Sequence, residues 1–204
     1  MTKTKIVKYT KEKVKDLFEN YPVAAHGIDH ITRVRDWTVQ IAKQEKVDIF
    51  LSEMAAWLHD IGRTRENKRE LHSTAHHELS YQMCREWFKT DPILKRISRK
   101  EKLILLYAVR YHWNNAADKY PEAVVLRDAD KLDVFGNVGV QRAYQFWGKN
   151  DKDNLLRAFR IASGDALWFE TKTARNIFDR KKLFAPMRKA CAKLLKERIL
   201  PVKL

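Results

Sequence analysis

The seven histidines of this 204-residue chain all fall at or before position 112: His26, His30, His59, His72, His76, His77 and His112. Three stretches set imidazoles beside carboxylates in order along the chain. GIDHITRV carries His30, AAWLHDIGR carries the adjacent His59 and Asp60, and LRDADKLD carries Asp128, Asp130 and Asp133. The His59-Asp60 pair closes a run of small and bulky apolar residues, where a polar group is costly to bury unless something pairs with it. Either hydrogen bonds hold the pair inside the core or the pair holds a metal ion. Two imidazoles and two carboxylates from three helices suit a divalent cation with mixed nitrogen and oxygen donors and positions left for water. Neighbouring residues on a helix point about 100° apart. His59 and Asp60 therefore converge only at a helix end, where Gly62 is expected to relieve the turn.

The elements that must position these groups read as helices almost throughout. Val14, Leu17 and Phe18 mark a first helix, with Thr10 as its expected N-cap. Ile31, Val34, Thr38 and Ile41 mark a second, over about residues 28–46. Asp48 can cap a third, IFLSEMAAWLHDIG, apolar nearly all round and so expected at the centre of a bundle. Charged residues 63–70 are expected to form a loop, after which Ser73 opens a fourth helix with Leu79, Met83 and Trp87 inward. Ser98 and Glu101 spell a capping box before KLILLYAVRYHW. Residues 124–135 lead to Gly136, read as a stop signal, and further helices follow with a break at Pro186. Trp37, Trp57 and Trp113 are expected in the core, with the floor of a base or sugar pocket as the lesser reading of Trp113 beside His112. No repeat or linker divides the chain, which reads as one all-α domain over 1–204, a bundle of roughly 8–10 helices. Residues 1–20 and 151–204 are its expected peripheral parts.

Only 6 Gly and 5 Pro interrupt a 45% hydrophobic composition, which disfavours a turn-rich all-β fold. Lys and Arg number 41 against 26 Asp and Glu, a net charge of +15 that favours an anionic partner. Cys84 and Cys191 stand far apart, neither a disulfide framework nor a zinc-knuckle spacing. The basic N-terminus has no apolar core of a signal peptide, and no uncharged stretch is long enough to span a bilayer. A cytoplasmic protein with no membrane partner is expected.

An early His, an adjacent His-Asp and a later Asp form an ordered pattern that resembles the HD-domain metal-dependent phosphohydrolase superfamily. GIDHITRV, AAWLHDIGR and LRDADKLD are similar to a small bacterial branch of it, and the resemblance covers residues 20–145. It implies an all-helical fold with a divalent metal on His30, His59, Asp60 and one later aspartate. Aligning the family's ADxL core with Ala129-Asp130-Lys131-Leu132 favours Asp130. Asp128 is left beside the site, and Asp133 is expected as a cap or a solvated charge. The donor set does not distinguish Mn, Mg, Fe, Ni, Co and Zn.

Members with two metals add histidines from the following helices, and His76 in AHHELS and His112 in RYHWN fall where such members have theirs. Asp60, His76 and His112 are thus the expected catalytic residues, the latter two binding a second metal or a substrate phosphate. His26 and His72 are expected at the surface or at a gate. Arg63 follows the HDIG turn and Lys131 follows Asp130, so both are candidate phosphate contacts, with Arg33 a third on the His30 face. The resemblance implies hydrolysis of a phosphomonoester or phosphoanhydride of a small substrate, a nucleotide foremost, by metal-activated water. Two alternatives use the same features: a nucleic-acid- or partner-binding helical domain with a structural metal, and a di-iron oxygenase on the same fold.

Overall fold

A computed structural model describes residues 1–66, 74–147, 152–166 and 168–199. The described residues form ten α-helices and no β-strand, the all-α architecture expected. They fall into two compact units, Met1–Asp130 and Lys131–Leu204.

In the first unit, α1 (Lys3–Asn20) buries Ile6, Thr10, Val14 and Phe18, one residue per turn. Thr2 is its cap, accepting the Lys5 N–H. Thr10 lies mid-helix instead, because its hydroxyl donates back to the Ile6 carbonyl at 2.9 Å and so needs no helix end. α2 (Ile28–Glu45) puts His30 on the same buried stripe as Ile31, Val34, Thr38 and Ile41. α3 (Ile49–Leu58) starts at Asp48, whose carboxylate accepts the Leu51 N–H at 2.9 Å. It buries all but Ile49, Phe50 and Glu53 and packs against α1, α2 and α5, central as its apolar circumference requires.

α4 (His76–Thr90) begins after Ala75. The expected cap Ser73 and His72 lie outside the described residues. Its inward face is Ser80, Met83, Cys84 and Phe88, while Leu79 and Trp87 are only half-buried. Asp91 ends α4 and ties it to α1. One carboxylate oxygen accepts the Ile93 and Leu94 N–H groups at 2.9 Å, and the other accepts the Tyr9 hydroxyl at 2.7 Å beside Lys13 at 3.2 Å. α5 (Arg99–Tyr111) carries the expected Ser98/Glu101 capping box. α6 (Pro121–Leu132) carries Arg127, whose buried guanidinium donates to the carbonyls of Asn114 and Ala117 at 2.8 and 3.0 Å and braces the loop before it.

The second unit holds α7 (Gly136–Trp147), α8 (Lys152–Ala166), α9 (Lys172–Arg180) and α10 (Ala185–Ile199). Gly136 opens α7 and does not close α6, which has already stopped at Leu132. Its φ of 72° is a conformation glycine adopts freely, and it lets the N–H donate to the Leu183 carbonyl at 2.8 Å. Pro186 sits in the first turn of α10, where a missing N–H costs nothing. Asp133 is not solvated but 3% exposed, because Arg142 reaches back to it at 2.9 Å and neutralises the buried charge. Trp57 is core as expected, but Trp37 is half-buried and Trp113 is 56% exposed. No helix among the described residues is long and apolar enough to cross a membrane.

Candidate metal centre

The regular helix α3 stops at Leu58, one residue before the His-Asp pair. The chain then turns through Asp60 (φ −112°, ψ 13°) into a 3₁₀ turn, Ile61–Arg65. Leaving the α-helical period at this point lets two adjacent side chains serve one centre. Gly62 contributes closeness and not the expected freedom of turn, since its φ is not positive. A Cβ there would run into the backbone of His76 and Ser80. The Gly62 N–H also donates to the Ser80 hydroxyl at 2.8 Å, so the start of α4 sits directly on the turn.

Two histidines arrive by the same local device. His59 caps α3 and His112 caps α5, and each places Nδ1 2.7 Å from the carbonyl three residues back, of Ala56 and Val109. A carbonyl can only accept, so Nδ1 carries the proton in both and Nε2 keeps its lone pair for the centre. His30, on the buried stripe of α2, brings its Nε2 to 3.3 Å from that of His59. His76, in the first turn of α4, completes a run of rings. Centroid spacings are 5.3 Å for His30–His59, 5.2 Å for His59–His112 and 5.5 Å for His112–His76.

Asp60 lies between them, 2% exposed. Oδ2 faces His30 Nε2 at 3.7 Å and His59 Nε2 at 3.9 Å, while Oδ1 faces His76 Nε2 at 3.4 Å and His112 Nε2 at 3.7 Å. Oδ1 is buried and accepts no hydrogen bond. An unbonded carboxylate oxygen beside imidazole lone pairs is the arrangement a cation stabilises and a neutral core does not. Two groups could hold a metal ion, His30/His59/Asp60 and Asp60/His76/His112, and Asp60 belongs to both. Asp130 stands at the first, its Oδ1 3.4 Å from His30 Nε2. The residues present fit a divalent ion.

Burial pushes the Asp60 carboxyl up, but the Arg63 guanidinium, with His59 and His76 behind it, overrides this and holds the group well below the usual carboxylate range. Burial drives His76 down to about 2 against the pull of Asp60, and lowers His112 as well. The centre therefore favours an ionised Asp60 and the neutral forms of His76 and His112, the protonation states that ligate metals.

Of the candidate phosphate contacts, Arg63 lies against the centre. It binds Asp60 Oδ2 at 3.3 Å and Glu66 Oε2 at 3.0 Å. Arg33 is half-buried one turn after His30. Lys131 donates to the Trp168 carbonyl at 2.7 Å within the second unit. Asp128 is fully buried. His26, expected at the surface or at a gate, is half-buried, sets its ring edge-on to His30 at 5.3 Å and helps hold Asp60 ionised. Glu66 escaped sequence reading inside the charged run 63–70, although it stands 3.7 Å from His76 Nδ1. Its spacing of three from Arg63 was the one available signal.

The helical scaffold thus gathers ordered His, His-Asp and Asp elements at one candidate metal centre. The HD domain model matches residues 27–134, over half of the chain, and this chain belongs to the HD-domain family. It is 28% identical over 131 residues to the uncharacterized protein YpgQ of Bacillus subtilis, covering 61% of this chain and 58% of that one. It is 24% identical over 150 residues to the uncharacterized protein L803 of Acanthamoeba polyphaga mimivirus, covering 67% and 59%. The chain thus spans less than two thirds of the length of these curated relatives. The crystal structure of YpgQ in complex with ADP superposes with a TM-score of 0.70 at 22% identity, over 100% of both chains. An HD-superfamily hydrolase from Bacillus thuringiensis superposes with a TM-score of 0.68 at 20% identity, over 98% of this chain and 100% of that one. At these identities the superpositions speak to the fold.

Proposed function

We propose that the chain is a divalent-metal-dependent phosphohydrolase acting on a small phosphorylated substrate, foremost a nucleotide, in the cytoplasm. The observation that carries this reading is the buried Asp60 carboxylate, with one oxygen toward each histidine pair and Oδ1 unbonded. His30, His59, Asp60 and Asp130 would hold one ion, and Asp60, His76 and His112 a second. A divalent ion there supplies a Lewis acid and water activated at neutral pH, suited to a phosphomonoester or phosphoanhydride bond.

The chain's own groups do the rest. The Nδ1 bonds of His59 and His112 to carbonyls fix both rings before any ligand arrives. Arg63 keeps Asp60 ionised and, from the same position, can meet a phosphate oxygen with the N–H groups that Asp60 and Glu66 leave over. Arg33 is assigned to phosphate with it. The net charge of +15 and the binding of ADP by YpgQ, a protein of this fold, support an anionic nucleotide as substrate. The test is release of phosphate or pyrophosphate from a nucleotide panel with each of several divalent metals. Wild type is expected to turn over and Asp60→Ala to be inactive. Equal inactivity of both with every metal would remove the catalytic reading.

A further inference from the structure

The run of rings does not stop at the centre. His77 follows His76 with its ring edge-on at 5.3 Å, and on its far side lies the indole of Trp113 at 5.0 Å with 36° between the planes. Trp113 is itself the residue after His112. Both rings of this outer pair are therefore chain neighbours of histidines in the same candidate metal group. Trp113 lies within two ring spacings of His76, yet it is 56% exposed.

An indole is the largest apolar surface a side chain offers, and leaving one in water at the edge of a polar centre forfeits its burial. Trp113 is not loose, however, because His77 holds one side of it. A planar aromatic surface, fixed in orientation and open to solvent, is what a nucleobase stacks on. A base stacked there would direct its sugar and phosphates toward the neighbouring histidines of the candidate metal group.

We infer that Trp113, backed by His77, is the nucleobase platform of the site. Trp113 thereby selects nucleotides over phosphate compounds that lack a base. This rests on the nucleotide reading above and names the group that would enforce it.

The test uses the full chain with divalent metal, comparing wild type with Trp113→Ala and Trp113→Phe. ADP binding is measured by calorimetry, and KM and kcat with ATP and with inorganic tripolyphosphate, which has no base. Removing the indole is expected to weaken ADP and raise KM for ATP by about ten-fold, the loss of one base–aromatic stack. It should leave kcat and the tripolyphosphate KM unchanged, and Phe should restore most of the affinity. Because the indole is largely exposed, its loss opens no core cavity, and an unchanged thermal midpoint confirms this. Unchanged ADP affinity in Trp113→Ala overturns the inference, as does equal weakening for tripolyphosphate. If wild type binds ADP in a Trp113-dependent way but hydrolyses nothing, the platform stands and the phosphohydrolase reading falls. If wild type binds no ADP, the platform falls, and the phosphohydrolase reading stands or falls on turnover alone.

Discussion

Sharing one carboxylate between two histidine groups makes a quantitative forecast about metal and stability. A ligand that binds only the folded state stabilises it by about 2.7 kcal/mol when present at 100 times its dissociation constant. The unfolding entropy is roughly 2.1 cal/mol/K per residue. For 204 residues that is about 0.43 kcal/mol/K, so one filled site raises Tm by about 6 °C and two by about 12 °C. Asp60 stands in both groups, His59 only in the first and His76 only in the second. Chelator-treated protein titrated with a divalent cation, followed by scanning fluorimetry or calorimetry, should give the full shift for wild type. Asp60→Asn should give almost none, and His59→Ala and His76→Ala about half each. The quantity compared is the metal-induced shift within each variant, because His59 is fully buried and its removal also lowers the starting Tm. Two results would refute the reasoning. One is an Asp60→Asn shift of half the wild-type value or more. The other is complete loss of the shift in both histidine variants, which would mean a single centre.

Gly62→Ala forces a Cβ into the backbone of α4, so it should cost about 1–3 kcal/mol or more in urea denaturation and weaken the metal response that depends on His76. Ser80→Ala leaves the buried Gly62 N–H without its acceptor, a loss of about 1–3 kcal/mol by the same measurement, with no clash. Desolvation pushes Asp91 up, but bonds from Leu94, Tyr9, Ile93 and Lys13 outweigh it and leave its folded pKa lowered. Its contribution is therefore complete above the unfolded carboxylate value and lost as pH falls through the depressed folded one. Asp91→Asn should flatten the acid limb of a stability–pH profile. Tyr9 runs the other way: its bond to Asp91, with burial, raises it to about 12. Stability from Tyr9 should be complete below about pH 10 and fade toward pH 12, and Tyr9→Phe should abolish that alkaline slope.

The parts of this structure legible in the sequence are those decided by local chemistry. Asp48 and the Ser98/Glu101 pair announced helix starts because a side-chain acceptor three residues before an N–H needs no partner from elsewhere. Thr10 announced a false one, since the same hydroxyl can bond backward within a helix, and Thr2 was there to cap instead. Asp133 and Trp113 were misread in opposite senses for one reason. A charge at position 133 is buried because Arg142 comes back to it, and an indole at 113 is left exposed beside His77. Neither partner lies within a helical turn of the residue it explains.

The same distinction applies at the centre. The order His30, His59-Asp60 and Asp130 could be read as a ligand pattern, and helix geometry already required the adjacent pair to sit at a helix end, but not which backbone contacts would aim the rings. The structure supplies them: α3 ends at Leu58, and His59 and His112 each cap a helix with Nδ1 bonded backward and Nε2 forward. Gly62 admits the backbone of α4 against that turn. A side chain at 62 would hold His76 away from Asp60 Oδ1 and leave that buried oxygen facing His112 alone. The glycine that first suggested a loose turn is therefore a condition for the second group of ligands to exist.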